Sequence, residues 1–447
     1  MLDRTPLPPL AKRVPHVHEA HGDRRVDDYH WLRNREDPDV TAYLEAENAY
    51  TEAVMAPTKA LQERLYAEIV GRIQETDLSV AVPHGPFRYY SRSVEGLQYH
   101  VYCRRPEGMP EGEGEDVLLD HNAVAEGHEY CELGLFEVSP DHRLLAWSFD
   151  TAGDEEYLLH VRDLDTGADL PDAIPNTYYG AAWASDNATL FYSTLDDAHR
   201  PWRIWRHRLG TDPADDVLVH QEDDERFFAS VSRTRSGGFI VISLDSATTS
   251  EIRFLAAADP EGDFRIVEPR RQDVEYSLDH AVVGDTPGPA VVGDTPGPGG
   301  GRFFILTNDD APNFRLMEAP VTDPGRSAWR EVIRHRPDVK LEGIDAFAGH
   351  LVVLERAEAV RRLRVRDLAT SEEHVVDQPE AVSRVGMSEA LNPEFHSSTL
   401  RYSYTSLVTP QSIYAYDVGT RERELLKQEP VLGGYDPSRY VTERLWA

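Results

Sequence analysis

Three histidines near the start of the chain are the residues whose types and spacing suggest metal chemistry. His16 and His18 alternate, and His21 is close to them in the segment HVHEAH. Metal ligation also requires fixed geometry and hydrogen bonds that orient the ligands. The surrounding arm is rich in proline and shows no obvious source of either. We therefore predict no metal site and no cofactor for this chain.

A serine nucleophile is the second chemistry for which the sequence can be searched. In many hydrolases this serine lies on a sharp turn with the pattern G-x-S-x-G. The nearest match is Gly386-Met387-Ser388-Glu389-Ala390, which departs from the pattern at its last position. No complete G-x-S-x-G occurs in the 447 residues. We therefore assign no catalytic residue and predict that this chain alone is inactive as a hydrolase.

The charge of the chain is strongly negative. There are 79 acidic and 46 basic residues, which gives a net charge of −33, and lysine occurs only at positions 12, 59, 340 and 427. Nucleic acid is an improbable partner because its phosphates would be repelled. An acidic field attracts cationic ligands such as basic peptides. The alternative is that acidic segments such as 111–116 and 222–225 are solvated loops.

The elements that must position any site are short strands that recur along the chain. An apolar second strand begins at Arg88, and similar strands follow at steps of 56, 46, 49, 64, 48 and 49 residues. The later strands begin at Leu144, Leu190, Phe239, Phe303, Leu351 and Leu400. The long step contains the nonapeptide AVVGDTPGP twice, at 281–289 and 290–298, for which we expect an exposed loop. Units of about 48 residues predict an all-β, seven-bladed β-propeller over residues 76–427. A succession of unrelated all-β domains is the alternative.

Residues 1–75 do not follow the strand repeat. Asp37-Pro38 is a typical helix start, Pro57 should end that helix, and Thr58 should cap a second one. Apolar residues at helical spacing continue through Leu61, Leu65 and Ile69. We predict an N-terminal arm with two amphipathic helices whose apolar faces need a partner.

The composition indicates a reducing compartment without a membrane anchor. No apolar run reaches the 18 residues that a transmembrane helix needs, and the first residues contain no signal-peptide core. Cys103 and Cys131 fit buried thiols, with a disulfide between them as the alternative. We predict a cytoplasmic location.

Several long segments closely resemble oligopeptidase B-type members of the prolyl oligopeptidase family of serine peptidases. They include DDYHWLR, AYLEAENAYTE, SATTSEIRFL, YSYTSLVTP and VLGGYDPSRYVTERLWA, and the resemblance covers nearly the whole chain. It implies a peptidase that cleaves short peptides after arginine or lysine, with a propeller covering an α/β-hydrolase domain. It further implies that residues 1–75 pack on that domain and that residues 428–447 are the hinge and the start of it. On this resemblance the hydrolase domain is expected to follow Ala447 and to be missing from this chain.

The leading hypothesis is thus a substrate-gating propeller that belongs with a hydrolase domain. The alternatives are a stand-alone propeller that binds peptides or proteins, and a remnant of an interrupted gene. Glu129 is the candidate for a charged contact with the hydrolase domain, because it lies beside an aromatic residue in a long loop between blades. We also predict that the first and last blades share no sheet and meet mainly through apolar side chains.

Overall fold

The computed structural model describes residues 6–282 and 301–446, so nearly all of the doubled nonapeptide lies outside the described residues. The chain divides into two units. One contains residues 1–74 with 432–434, and the other contains residues 75–431 with 435–447. No helix among the described residues is both long and apolar enough to cross a membrane. Cys103 and Cys131 are buried free thiols, as predicted.

The N-terminal unit consists of a β-hairpin followed by helices. The hairpin strands are β1 (His16–Ala20) and β2 (Asp23–Asp27), and the helices are α1 (Pro38–Met55) and α2 (Lys59–Val70). The Asp37 carboxylate accepts a hydrogen bond from the Asp39 N–H at 2.9 Å, which is the predicted cap of α1. Thr58 precedes α2 but does not cap it, because its hydroxyl donates to the Met55 carbonyl instead.

The second unit is built from antiparallel sheets. The first sheet contains β3 (Val82–His84), β4 (Phe87–Arg92), β5 (Val101–Pro106) and β6 (Asp116–Asp120), and the short helix α3 (His121–Val124) follows it. The next sheet contains β7 (Glu132–Val138), β8 (Leu144–Asp150), β9 (Tyr157–Asp163), β10 (Asp169–Trp183), β11 (Thr189–Leu195), β12 (Pro201–Arg208) and β13 (Val217–Gln221).

Four further sheets have four strands each. Two of them contain β14 (Phe228–Arg233), β15 (Phe239–Asp245), β16 (Ser250–Ala256) and β17 (Arg265–Glu268), and β18 (Tyr276–Ala281), β19 (Arg302–Thr307), β20 (Arg315–Pro320) and β21 (Arg330–Ile333). The third contains β22 (Val339–Ala346), β23 (His350–Ala357), β24 (Val360–Asp367) and β25 (Glu373–Val375). The fourth contains β26 (Arg384–Gly386), β27 (Thr399–Thr405), β28 (Ser412–Asp417) and β29 (Arg423–Gln428). The 3-10 helices of the described residues are His30–Arg33, Ala56–Thr58, Pro213–Asp215, Arg326–Ala328, Glu389–Leu391 and Pro437–Arg439.

The predicted number of seven separate blades is wrong. Five four-stranded sheets form, and the remaining seven strands make one continuous sheet. The physical reason is β10, a 15-residue strand that pairs with β9 through its first half and with β11 through its second half. Its register shifts between these halves, where Asn176 and Gly180 have φ values of 57° and 90°. All seven predicted second strands are nevertheless present, as β4, β8, β11, β15, β19, β23 and β27.

Apolar side chains join consecutive sheets into a ring. Six clusters of buried residues occur in the part of the chain that the structure describes. The cluster between β14–β17 and β18–β21, for example, brings Phe239 and Phe254 against Phe303, with ring centroids 5.0–5.3 Å apart. Removing such rings from water is the main stabilising contribution to the propeller.

The contact between β3–β6 and β26–β29, which we call the seam, has a different composition. No sheet contains strands from both, as predicted, and none of the apolar clusters of described residues spans the two. The Lys427 ammonium instead donates to the Asp77 carboxylate and the Leu78 carbonyl, and the Gly85 N–H donates to the Glu394 carboxylate. The predicted apolar seam is therefore wrong, because charged and backbone groups make these contacts.

Replacing Lys427 with glutamine is expected to loosen the seam. Amide hydrogens of β3, β4, β28 and β29 should exchange about five- to thirtyfold faster, which corresponds to roughly 1–2 kcal/mol of local opening free energy. Hydrogen-exchange mass spectrometry measures this change, with Lys340→Gln as the matched control at an exposed lysine away from the seam. Unchanged exchange in these four strands would contradict a role for Lys427 in closing the ring.

Candidate functional site

Charged side chains meet where the first strands of the sheets end. Each of these residues lies near the end of β3, β7, β14, β18 or β22, or in the loop that follows β14 or β26. We call this group the strand-end cluster, and it consists of His84, Glu137, Arg233, Arg235, Asp279, Asp345, Glu389 and Glu394. Short contacts and electrostatic interactions connect the members, so the cluster draws on all six sheets of the propeller.

Arg235 is the centre of this cluster. Its guanidinium lies 2.9 Å from the Asp345 carboxylate and 3.5 Å from that of Asp279. It also donates to the Asn392 carbonyl at 2.8 Å and stacks over the Phe347 ring at 4.6 Å from the centroid. The planar guanidinium, with donors in several directions, suits this bridging position better than an ammonium would. One side chain from β14–β17 thereby holds together strand ends from three other sheets.

Asp279 and Asp345, two acidic members of the cluster, bind protons more readily than ordinary carboxyls. Burial raises the pKa of Asp279 to about 7, although Arg235 and the N–H groups of His280 and Ala346 favour its charged form. Burial likewise raises the pKa of Asp345, again against the effect of Arg235. These two carboxyls therefore share one guanidinium in a site of low polarity.

Glu137 and Glu389 show that the cluster surrounds an opening that water can enter. Both side chains are exposed, yet enough protein surrounds them for desolvation to raise the pKa of each. The nearby Glu389 charge raises the pKa of Glu137 further. Neither forms an ion pair within the described part of the chain. Two exposed carboxyl groups are therefore available to a cationic ligand.

Arg233 extends the cluster toward the second half of the seven-stranded sheet. It donates to the Ser185 hydroxyl at 3.0 Å and to the Gly237 carbonyl at 2.9 Å. Burial lowers the pKa of its guanidinium to about 10. Because it has only neutral partners, Arg233 supports the wall of the opening and does not neutralise the two free carboxylates.

Glu129 lies at the other end of the first strands. It is exposed in the loop between α3 and β7, whereas Glu137 lies near the end of β7. The five steps along the strand from Glu132 to Glu137 span roughly 16 Å. Because the ends of the first strands converge, their starts must share the opposite face. Asp77 and Lys427, where the chain enters and leaves the ring, contact each other.

The serine of the incomplete G-x-S-x-G segment lies at the start of a 3-10 helix. Ser388 is exposed and directly precedes the 3-10 helix Glu389–Leu391, and its carbonyl accepts from the Leu391 N–H. Sequence patterns alone did not predict the strand-end cluster, although the sequence contains one signal of it. Its members recur just before or within the turn after each first strand, as Glu137 does ahead of Ser139-Pro140-Asp141.

A ring of antiparallel sheets with converging first strands defines a β-propeller protein. Residues 8–429 match the family model described as the N-terminal β-propeller domain of prolyl oligopeptidase, and the chain belongs to that family. Dipeptidyl aminopeptidase BI of Pseudoxanthomonas mexicana is 42% identical, over 98% of this chain and 60% of its own. Protease 2 of Moraxella lacunata is 33% identical, over 98% of this chain and 61% of its own.

Solved structures of oligopeptidase B are similar to the chain as well. The structure from Leishmania major has a TM-score of 0.88 and 28% identity, over 98% of this chain and 63% of that one. Oligopeptidase B from Trypanosoma brucei, in its closed form with covalently bound antipain, has a TM-score of 0.85 and 29% identity. The predicted family is confirmed. The chain spans about 60% of the length of these relatives.

Proposed function

We propose that this propeller controls the access of short basic peptides to a serine-peptidase domain of the α/β-hydrolase fold, which cleaves after arginine or lysine. The observation that carries this proposal is the pair of water-accessible carboxylates, Glu137 and Glu389, at the opening surrounded by the strand-end cluster. Membership of the prolyl oligopeptidase family and the net charge of −33 support it.

The chemistry of the opening favours a guanidinium or ammonium group. A carboxylate can accept two hydrogen bonds from an arginine side chain, and such charge-assisted bonds are shorter and stronger than neutral ones. The two free carboxylates repel each other, so a cation between them removes a repulsion and adds an attraction. A peptide rich in glutamate would meet the opposite effect.

Binding of a basic peptide tests the proposal directly. A short fluorescein-labelled peptide with two arginines should bind residues 1–447 about tenfold more weakly after Glu137→Gln and Glu389→Gln are combined, as measured by fluorescence anisotropy. The matched control combines Glu111→Gln with Glu113→Gln, which removes the same charge from an exposed loop. Equal weakening by both pairs would reduce the effect to net charge and contradict a specific opening.

The contribution of the hydrolase domain has its own test. Residues 1–447 alone should not release a fluorogenic group from an arginyl substrate, because no nucleophile, base and oxyanion site is assigned in them. Turnover that survives contaminant controls would overturn this expectation. Peptide binding without turnover, even in a protein joined to a hydrolase domain, would favour the stand-alone binding module instead.

The same proposal assigns roles to the rest of the chain. Residues 1–75 are proposed to pack on the hydrolase domain, which would cover Leu44, Leu61, Leu65 and Ile69, now 43–59% exposed. Residues 428–447 are proposed as the hinge to that domain, and Glu129 as a charged contact across the gap. The cytoplasm is the proposed location of the protein.

A further inference from the structure

Three imidazoles come together in the N-terminal unit. The nitrogen atoms of His16, His18 and His30 that could ligate an ion lie within 4.8 Å of one another. We propose that these three histidines form a binding site for a divalent transition-metal ion of the zinc type. This site is separate from the strand-end cluster and does not depend on the proposed peptide binding.

The β-hairpin supplies the fixed geometry that the sequence did not reveal. His16 and His18 are two residues apart on β1, so their side chains leave the same face of the hairpin. β2 pairs with β1 along its whole length, with Asp27 opposite His16. The Asp27 carboxylate then accepts from the Tyr29 N–H at 2.9 Å, and this turn starts the 3-10 helix that carries His30.

The rings are already packed against one another. The His16 and His30 rings are stacked with centroids 3.8 Å apart and planes 10° apart, and His18 meets both edge-on at 4.6 and 4.7 Å. Nitrogens around a tetrahedral zinc ion with bonds of 2.0–2.1 Å are about 3.3 Å apart. The nitrogens of the three histidines lie within 4.8 Å of one another, so side-chain rotations that unstack the His16 and His30 rings would bring three nitrogens around one ion.

The surroundings of the three imidazoles also suit an ion. The Asp27 carboxylate lies 3.9 Å from the His30 ring, where it can orient that ring from outside the ligand set. His16 and His18 are exposed, so water can occupy a fourth coordination position.

His21, the third histidine of the segment HVHEAH, does not join the cluster. It lies in the hairpin turn with a φ value of 54°, beyond the end of β1. His30 takes its place because the second strand returns the chain to His16. The expectation of no metal site rested on an irregular arm, and the hairpin removes that objection.

Zinc binding by the protein without a purification tag tests the proposal. Isothermal titration with ZnCl₂ should show one site per chain with micromolar or tighter affinity, and Co²⁺ should give the intense visible bands of tetrahedral nitrogen coordination. His18→Gln and His30→Gln should each weaken Zn²⁺ binding at least tenfold. His21→Asn is the matched control, since asparagine tolerates its backbone conformation, and it should bind as the parent does.

Four results would overturn the site. They are the absence of stoichiometric Zn²⁺ binding, equal weakening by His21→Asn, affinity that survives both His18→Gln and His30→Gln, and an octahedral Co²⁺ spectrum, which would contradict the tetrahedral geometry. The Co²⁺ spectrum of the unmodified protein is independent of the folding of any variant.

Discussion

Replacing Glu355 with glutamine is expected to lower the free energy of unfolding of the propeller by about 3–5 kcal/mol. Glu355 is fully buried in β23, and its carboxylate is the shared partner of three arginines. Arg364 contacts it at 2.9 Å, and Arg336 and Arg362 complete the group. Loss of the single negative charge leaves the guanidiniums in mutual repulsion in a poorly solvated place.

The pH dependence of the free energy of unfolding is a second test of the role of Glu355. Burial would raise the pKa of Glu355, but Arg364 and Arg336 outweigh it and the pKa is lowered. The folded state therefore binds this proton less readily than the unfolded state. Its contribution is present above the unfolded pKa of about 4.3 and is lost as the pH falls through the folded value.

Urea unfolding followed by circular dichroism from pH 3 to 7 measures both effects. The control is Glu358→Gln, since Glu358 pairs with Arg444 while its side chain is 65% exposed, and a change within about 0.5 kcal/mol is expected there. A loss below 1 kcal/mol for Glu355→Gln, with an unchanged acid limb, would show that the arginines are solvated without it.

His207→Ala is the second substitution with a large expected effect, again about 3–5 kcal/mol. His207 is fully buried and lies 3.0 Å from the Asp172 carboxylate and 2.7 Å from that of Asp216. Asp216 also accepts from the Tyr192 hydroxyl at 2.8 Å. These contacts join β10 to β12 and to the segment before β13. Removing the imidazole leaves two nearly inaccessible carboxylates facing each other.

The sign of the pH effect is opposite to that of Glu355. Burial lowers the pKa of His207, but Asp216 and Asp172 outweigh burial and the pKa is raised. Its stabilising contribution is complete below the unfolded pKa of about 6.5 and is lost as the pH rises through the folded value. The midpoint temperature of unfolding should fall between pH 6 and pH 9 in the parent protein, and it should fall less in His207→Ala.

The exposed His128 gives the control, since His128→Ala should leave both stability and its pH profile within about 0.5 kcal/mol of the parent. If His207→Ala unfolds at the same urea concentration as the parent, the three-residue group does not hold the two halves of the seven-stranded sheet together.

Local patterns determined the strands and the first helix of this protein. Runs such as LFYST and FIVISL place apolar side chains on both faces of a strand, so each forms a largely buried strand at its predicted place. Asp37-Pro38 set the start of α1, because the carboxylate caps the helix and proline suits its first turn. The family could likewise be recognised from contiguous segments of sequence.

Contacts between distant residues decided the rest. No local pattern shows that β10 pairs with strands on both sides, since that pairing depends on where β9 and β11 lie. The seam brings Lys427 to Asp77 and the strand-end cluster brings Arg235 to Asp345, across long stretches of chain. His30 reaches His16 only because β2 returns antiparallel to β1. Side-chain chemistry thus determined which residues could act, and closure of the hairpin and of the ring decided which of them meet.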